Sequence, residues 1–130
     1  MKKPLFTVFA VLVSVLVATD NARADEATGA GDGETTVTLI NPFEVPAGKL
    51  DEAIRLWEQA RDFLRQQPGY ISTELHQSLS PDAPYPLINV AKWESVETFK
   101  AATGKMRTEA NLPRIEGLRP APQLYTVIRN

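Results

Sequence analysis

The stretch Asn89-Val90-Ala91-Lys92-Trp93-Glu94-Ser95-Val96-Glu97-Thr98-Phe99 reads as a strand running into a helix. Leu87, Ile88 and Val90 are β-type residues, and Ser95 is a good N-cap for the helical run behind it. Asn89 and Trp93 lie four apart, so in a strand of period two they point to one face, with small Ala91 between them. Two readings stand here. Either a carboxamide and an indole face a ligand pocket, or a satisfied amide sits beside a core tryptophan.

Upstream, residues 35–45 alternate, with Val37, Leu39, Asn41, Phe43 and Val45 on one face of a first strand. Asn41 is the polar member of that row. An unpartnered buried amide costs about 1–3 kcal/mol, so it is hydrogen-bonded, placed at a chain irregularity, or directed at a ligand. Pro46-Ala47-Gly48 turns the chain into a helix over 49–67, whose stripe of Leu50, Ile54, Trp57, Phe63 and Leu64 recurs at helical spacing. Trp57 on that stripe reads as core. Pro68-Gly69 ends the helix, and a strand over 70–79 sets Ile71, Thr73, Leu75 and Gln77 opposite Tyr70, Ser72, Glu74 and His76. A proline-rich turn at 80–86 joins it to the strand over 87–93. The helix from Val96 carries Phe99 and Ala102, turns at Gly104 and resumes from Met106 to Ala110, and a last short strand covers 124–128.

The order is β-α-β-β-α-β, which predicts an α+β fold: a ferredoxin-like antiparallel sheet with two helices on one face. Its other face carries Ile40, Ile88 and Val90, too apolar to be left in water. A second copy is the natural cover, so a homodimer is expected.

Lys2 and Lys3, an apolar run from Leu5 to Ala18 and the small-x-small pattern Ala22-Arg23-Ala24 look like a secretory signal peptide over 1–24. An uncleaved N-terminal anchor is the competing reading, although the run is shorter than the roughly 20 residues of a membrane span. Cleavage predicts a periplasmic or secreted protein with a flexible Gly-, Ala- and Asp-rich leader over 25–34 and one domain over 35–130. The removed segment carries three basic residues and one acidic one, so the net charge moves from −2 to about −4. That balance argues against nucleic acid or an anionic membrane as partner and favours a small molecule. The chain has no cysteine, so the domain is stable without disulfides.

Metal chemistry is poorly served by one histidine, no cysteine and no acidic loop of calcium spacing. No glycine-rich phosphate loop follows a strand, and no serine nucleophile motif is present. What remains is an apolar pocket bearing Asn41, Asn89, Trp93 and Trp57. His76 is the one side chain of a type suited to general-base work near neutral pH; a structural or surface role is its other reading.

Thr38 to Gly48, Pro68-Gly69-Tyr70-Ile71-Ser72 and Ile88 to Phe99 resemble the antibiotic biosynthesis monooxygenase (ABM) family of dimeric α+β barrels. The resemblance covers about residues 35–105 and implies catalysis without cofactor, with molecular oxygen as co-substrate and an aromatic phenol or quinol as substrate. It implies Asn41, Asn89 and Trp93 as catalytic residues; the reading of the residues adds His76 as the candidate base, with Trp57, Phe43 and Phe99 around the substrate. In anthrone-oxidising members, an Asn and a Trp four residues apart line the pocket, as Asn89 and Trp93 do here; the tyrosine six residues after the tryptophan is Phe99. In haem-degrading members, an Asn seven residues before the turn glycine matches Asn41, whereas the haem-ligating histidine ten residues after the tryptophan is Thr103. A non-catalytic binder of an apolar small molecule or of haem is the alternative.

Overall fold

The computed structural model describes residues 36–130, so the signal segment and leader expected over 1–34 lie outside the described residues. The elements are β1 (Val37–Glu44), α1 (Leu50–Leu64), β2 (Tyr70–Gln77), β3 (Leu87–Trp93), α2 (Val96–Glu109), β4 (Arg119–Pro120) and β5 (Gln123–Tyr125). Every strand pair is antiparallel, in the order β2-β3-β1-β4, with β5 also on β1. This is the ferredoxin-like arrangement, with both helices against one sheet face.

Register decides which side chains meet under the helices. Val37 lies opposite Trp93, Leu39 opposite Ala91, Asn41 opposite Asn89 and Phe43 opposite Leu87. Directly opposed residues share a face, so these pairs make the helix side of the two central strands. Val37, Leu39, Ala91 and Trp93 form a buried cluster with Ala102 of α2. Ile40 pairs with Val90 and Pro42 with Ile88 on the other face, where these side chains are only half-buried.

Two junctions hold the helices in place. Gly48 turns at φ +79 before α1, whose first turn carries Asp51 and Glu52 against the positive end of the helix dipole. Ser95 caps α2: its Oγ accepts from Thr98 N–H at 3.1 Å, while Ser95 N–H donates to Thr98 Oγ1 at 3.2 Å. The same Thr98 packs on Gly69, where a Cβ would collide with it. Glu94 N–H donates to the Gly69 carbonyl at 2.8 Å, locking the α1–β2 turn to the β3–α2 turn.

Three expectations need correction. The second helix runs straight through Gly104, because packing of Phe99 and Ala102 outweighs the roughly 1 kcal/mol that an interior glycine costs. The last strand is not continuous over 124–128; it is two short pieces on β1 separated by Ala121-Pro122, and Val127 and Ile128 are exposed beyond it. Strict alternation in β2 also fails: a bulge between Tyr70 and Ser72 leaves Ile71 unpaired and sets Tyr70 opposite Trp93. Tyr70 therefore joins Thr73 and Leu75 on the helix side, while Ser72, Glu74 and His76 face away from it.

Candidate functional site

Between the helices and the sheet lies a cavity of about 810 Å³, within the range of roughly 300–1,000 Å³ usual for small-molecule pockets. Its floor is the helix side of β1 and β3, and its walls come from α1, α2 and the segment that follows α2. Asn41, Asn89, Trp93, Trp57, Phe43 and Phe99 all line it. Six residues from four elements thus line one space.

The two asparagines sit side by side, as directly opposed residues of neighbouring strands. Asn89 is 8% exposed, and its Oδ1 accepts a hydrogen bond from Thr73 Oγ1 at 2.7 Å. Asn41 Oδ1 accepts from Ala121 N–H at 3.0 Å, a proton that is shared with the Pro42 carbonyl at 2.9 Å. Because a backbone N–H only donates, that bond fixes which end of the Asn41 amide is oxygen. No fully buried side-chain N or O atom lacks a partner among the described residues, and neither Nδ2 group donates to the protein there. Both NH₂ groups therefore open onto the cavity as a pair of adjacent donors. For Asn41, the irregular-chain reading accounts for the oxygen, which the broken edge strand satisfies, and its nitrogen is left without a protein partner among the described residues.

Trp93 is 1% exposed and is gripped edge-on by Tyr70 and Phe99, with ring centroids at 5.6 and 5.8 Å. Such T-shaped pairs each add about 0.5–1.5 kcal/mol beyond area burial, so the indole is a rigid wall. Trp57 is half-buried rather than core; the Arg61 guanidinium lies over its ring at 5.2 Å.

His76 is not part of this site. It pairs with Ile88 on the opposite face of the sheet, stands mostly exposed, and has Glu74 Oε1 at 4.0 Å. No carboxylate or imidazole lines the cavity. Sequence reasoning also missed Tyr70, hidden by the bulge, and Thr73, which holds Asn89. Arg61 carried a readable signal, since it lies four residues after Trp57 on the same helical stripe.

The donor set of the cavity bears on the haem alternative. Thr103 lines the cavity, but its hydroxyl donates into its own helix, with the carbonyls of Phe99 and Lys100 at 3.0 and 3.2 Å. A threonine so engaged does not replace an axial imidazole, and the lining holds no histidine or cysteine; of the usual axial types it has only Tyr70, whose ring packs edge-on against Trp93, and Met106. No cluster of three metal-ligating side chains occurs among the described residues, and no helix there is long and apolar enough to cross a membrane.

Fold and cavity together define a ferredoxin-like α+β domain with a pocket between its helices and its sheet. Residues 36–106 match the model of the antibiotic biosynthesis monooxygenase family, and the chain belongs to that family. A candidate monooxygenase from Shewanella loihica PV-4 shares 55% identity over 74% of this chain and 97% of its own, with a TM-score of 0.68. SnoaB, a cofactor-independent oxygenase from Streptomyces nogalater, is 22% identical over 74% and 96% of the two chains, TM-score 0.57. MhuD, a haem degrader from Mycobacterium tuberculosis, is 23% identical over 72% and 97%, TM-score 0.55. At that identity the last two are likenesses of fold. No curated protein matches the sequence.

Proposed function

We propose that this protein is an exported, homodimeric monooxygenase that oxidises an aromatic phenol or quinol with molecular oxygen and no cofactor. The observation that carries the reading is the pair of outward-facing amide donors, Asn41 and Asn89, on the floor of an apolar cavity beside Trp93. Triplet oxygen reacts slowly with closed-shell molecules, but an electron-rich phenolate can pass it an electron directly. The protein's task is then to favour the anion and hold it. Two N–H donors aimed at the substrate oxygen do the first, stabilising charge as it develops in a half-enclosed, apolar-walled site. Trp93 and Phe99 do the second by walling the ring.

With His76 on the far side of the sheet, the substrate proton leaves to solvent through the open mouth of the cavity. In balance, the substrate exchanges two hydrogens for one oxygen atom, and the second oxygen atom leaves as water. The membership of the family and the 55% identity to a candidate monooxygenase support this reading. Oxygen uptake by metal-free protein, measured with a panel of quinols and anthrones, tests it. Uptake that falls at least about tenfold in Asn89→Ala is expected, with the fold checked by circular dichroism; no uptake with any of the panel rejects catalysis.

A binding role without turnover is the second reading, favoured by the absence of a base in the cavity. Haem titration addresses its haem form, for which a Soret shift is required. Export rests on the Lys2-Lys3 start, the apolar run and Ala22-Arg23-Ala24, and predicts a mature N-terminus at Asp25. Dimerisation rests on the half-buried apolar side chains Ile40, Ile88 and Val90 on the face away from the helices.

A further inference from the structure

The charge on the cavity wall is one-sided. The whole chain holds 16 acidic and 14 basic residues, yet the side chains lining the cavity include Arg61, Lys100 and Arg107 and not one carboxylate. Arg61 comes from the last turn of α1; Lys100 and Arg107 lie seven apart on α2, two turns along one side, with Thr103 between them. The floor supplies no charge of either sign, so these three cations are the formal charges on the cavity's lining.

Arg61 is held in place. Its guanidinium lies over the Trp57 ring at 5.2 Å, and Asp62 Oδ1 accepts from its Nε at 3.1 Å and from a terminal nitrogen at 3.0 Å. The same Asp62 oxygen also faces Arg65 at 3.6 Å, so one carboxylate serves two guanidiniums and the group stays net positive. Lys100 and Arg107 make no ion pair among the described residues. A half-enclosed, apolar-walled space weakens solvent screening and strengthens the field that such charges project into it.

We infer that the natural substrate of this site is an aromatic anion: a ring system whose phenolic oxygen meets Asn41 and Asn89 and whose far end carries a carboxylate or similar oxyanion held by Arg61, Lys100 and Arg107. The inference rests on the phenol-oxidising reading and names the substrate class within it. The cations do not touch the reacting carbon; they select and orient the substrate. The donors lie on the strands of the floor and the cations on the helices of the wall, so the anion fixes which end of the ring faces the asparagines.

The test uses binding, which needs no turnover. Quenching of tryptophan fluorescence is followed on the whole mature protein with three probes of one shape: 6-hydroxy-2-naphthoate, its methyl ester, and 2-naphthol. The carboxylate should bind about tenfold more tightly than the ester, and the preference should shrink on raising salt from low to physiological strength. In the double variant Lys100→Gln/Arg107→Gln, both at exposed positions, the preference should fall to about threefold or less. The double variant Arg55→Gln/Lys105→Gln removes an equal charge from exposed helix positions off the cavity and should leave the preference intact. An ester that binds as well as the acid, or a preference that Arg55→Gln/Lys105→Gln abolishes equally, overturns the inference. If that happens while oxygen uptake persists, the phenol-oxidising reading survives alone. Failure of all three probes at millimolar concentration overturns both.

Discussion

Thr73 has no chemistry of its own to offer, yet the geometry of the site depends on it. Its hydroxyl is the partner of the Asn89 oxygen, and it keeps the amide turned so that NH₂ faces the cavity. Thr73→Val preserves shape but strands that oxygen in a nearly dry position, so a loss of about 1–3 kcal/mol is expected in urea unfolding, with Thr73→Ser restoring most of it. Trp93 carries more weight: Trp93→Ala removes a fully buried indole and the partner of two aromatic rings, and should cost about 3–5 kcal/mol. Tyr70→Phe keeps the ring against Trp93 and removes a hydroxyl that bonds to none of the described residues. Its stability should therefore change by less than about 0.5 kcal/mol, and any larger effect on substrate oxidation would mark the phenol as a substrate contact.

At the scale of elements, backbone geometry at the start of α2 and inside it decides how firmly that helix is held. Gly69 and Gly104 make a matched pair for testing this. Gly69 adopts φ +87 and lies against Thr98, so Gly69→Ala meets both backbone strain and a collision, and a loss of at least about 2 kcal/mol is expected. Gly104 is in the middle of a helix with open space where a Cβ would go, so Gly104→Ala should stabilise by about 0.5–1 kcal/mol. Thermal melts of the two variants should move in opposite directions. Ser95→Ala removes the cap that both halves of the junction share, and a loss near 1 kcal/mol is expected.

For the whole molecule, the uncovered sheet face is the feature with the widest consequence. Ile40, Ile88 and Val90 lie there with Glu74 and His76 beside them on β2. If a second copy covers this face, light scattering at micromolar concentration gives twice the mature mass. Val90→Glu would then yield a monomer, because an unpaired charge is not tolerated in an apolar interface. A monomeric mass for the unaltered protein would refute the dimer. The cavity lies on the other side of the sheet, so loss of the dimer should leave probe binding intact.

Much of this protein is decided locally and is therefore legible in its sequence. Alternation of period two placed Asn41 with Leu39 and Phe43, and Asn89 with Trp93; a period of 3.6 placed Trp57 on the inward stripe of α1; Ser95 announced the start of α2. Each of these depends on neighbours within a few residues, where backbone geometry leaves few choices. What the tertiary structure alone decided is how one element is set against another. Nothing near Tyr70 signals the bulge that turns it inward, and nothing near His76 tells which face of β2 joins which face of β3, because register is a property of two strands. The broken edge at Ala121 that satisfies Asn41 lies 80 residues from it. Lys100 and Arg107 stand in the sequence among ordinary surface charges, and only the packing of two helices over one sheet brings them and Arg61, on the stripe of Trp57, to a common space.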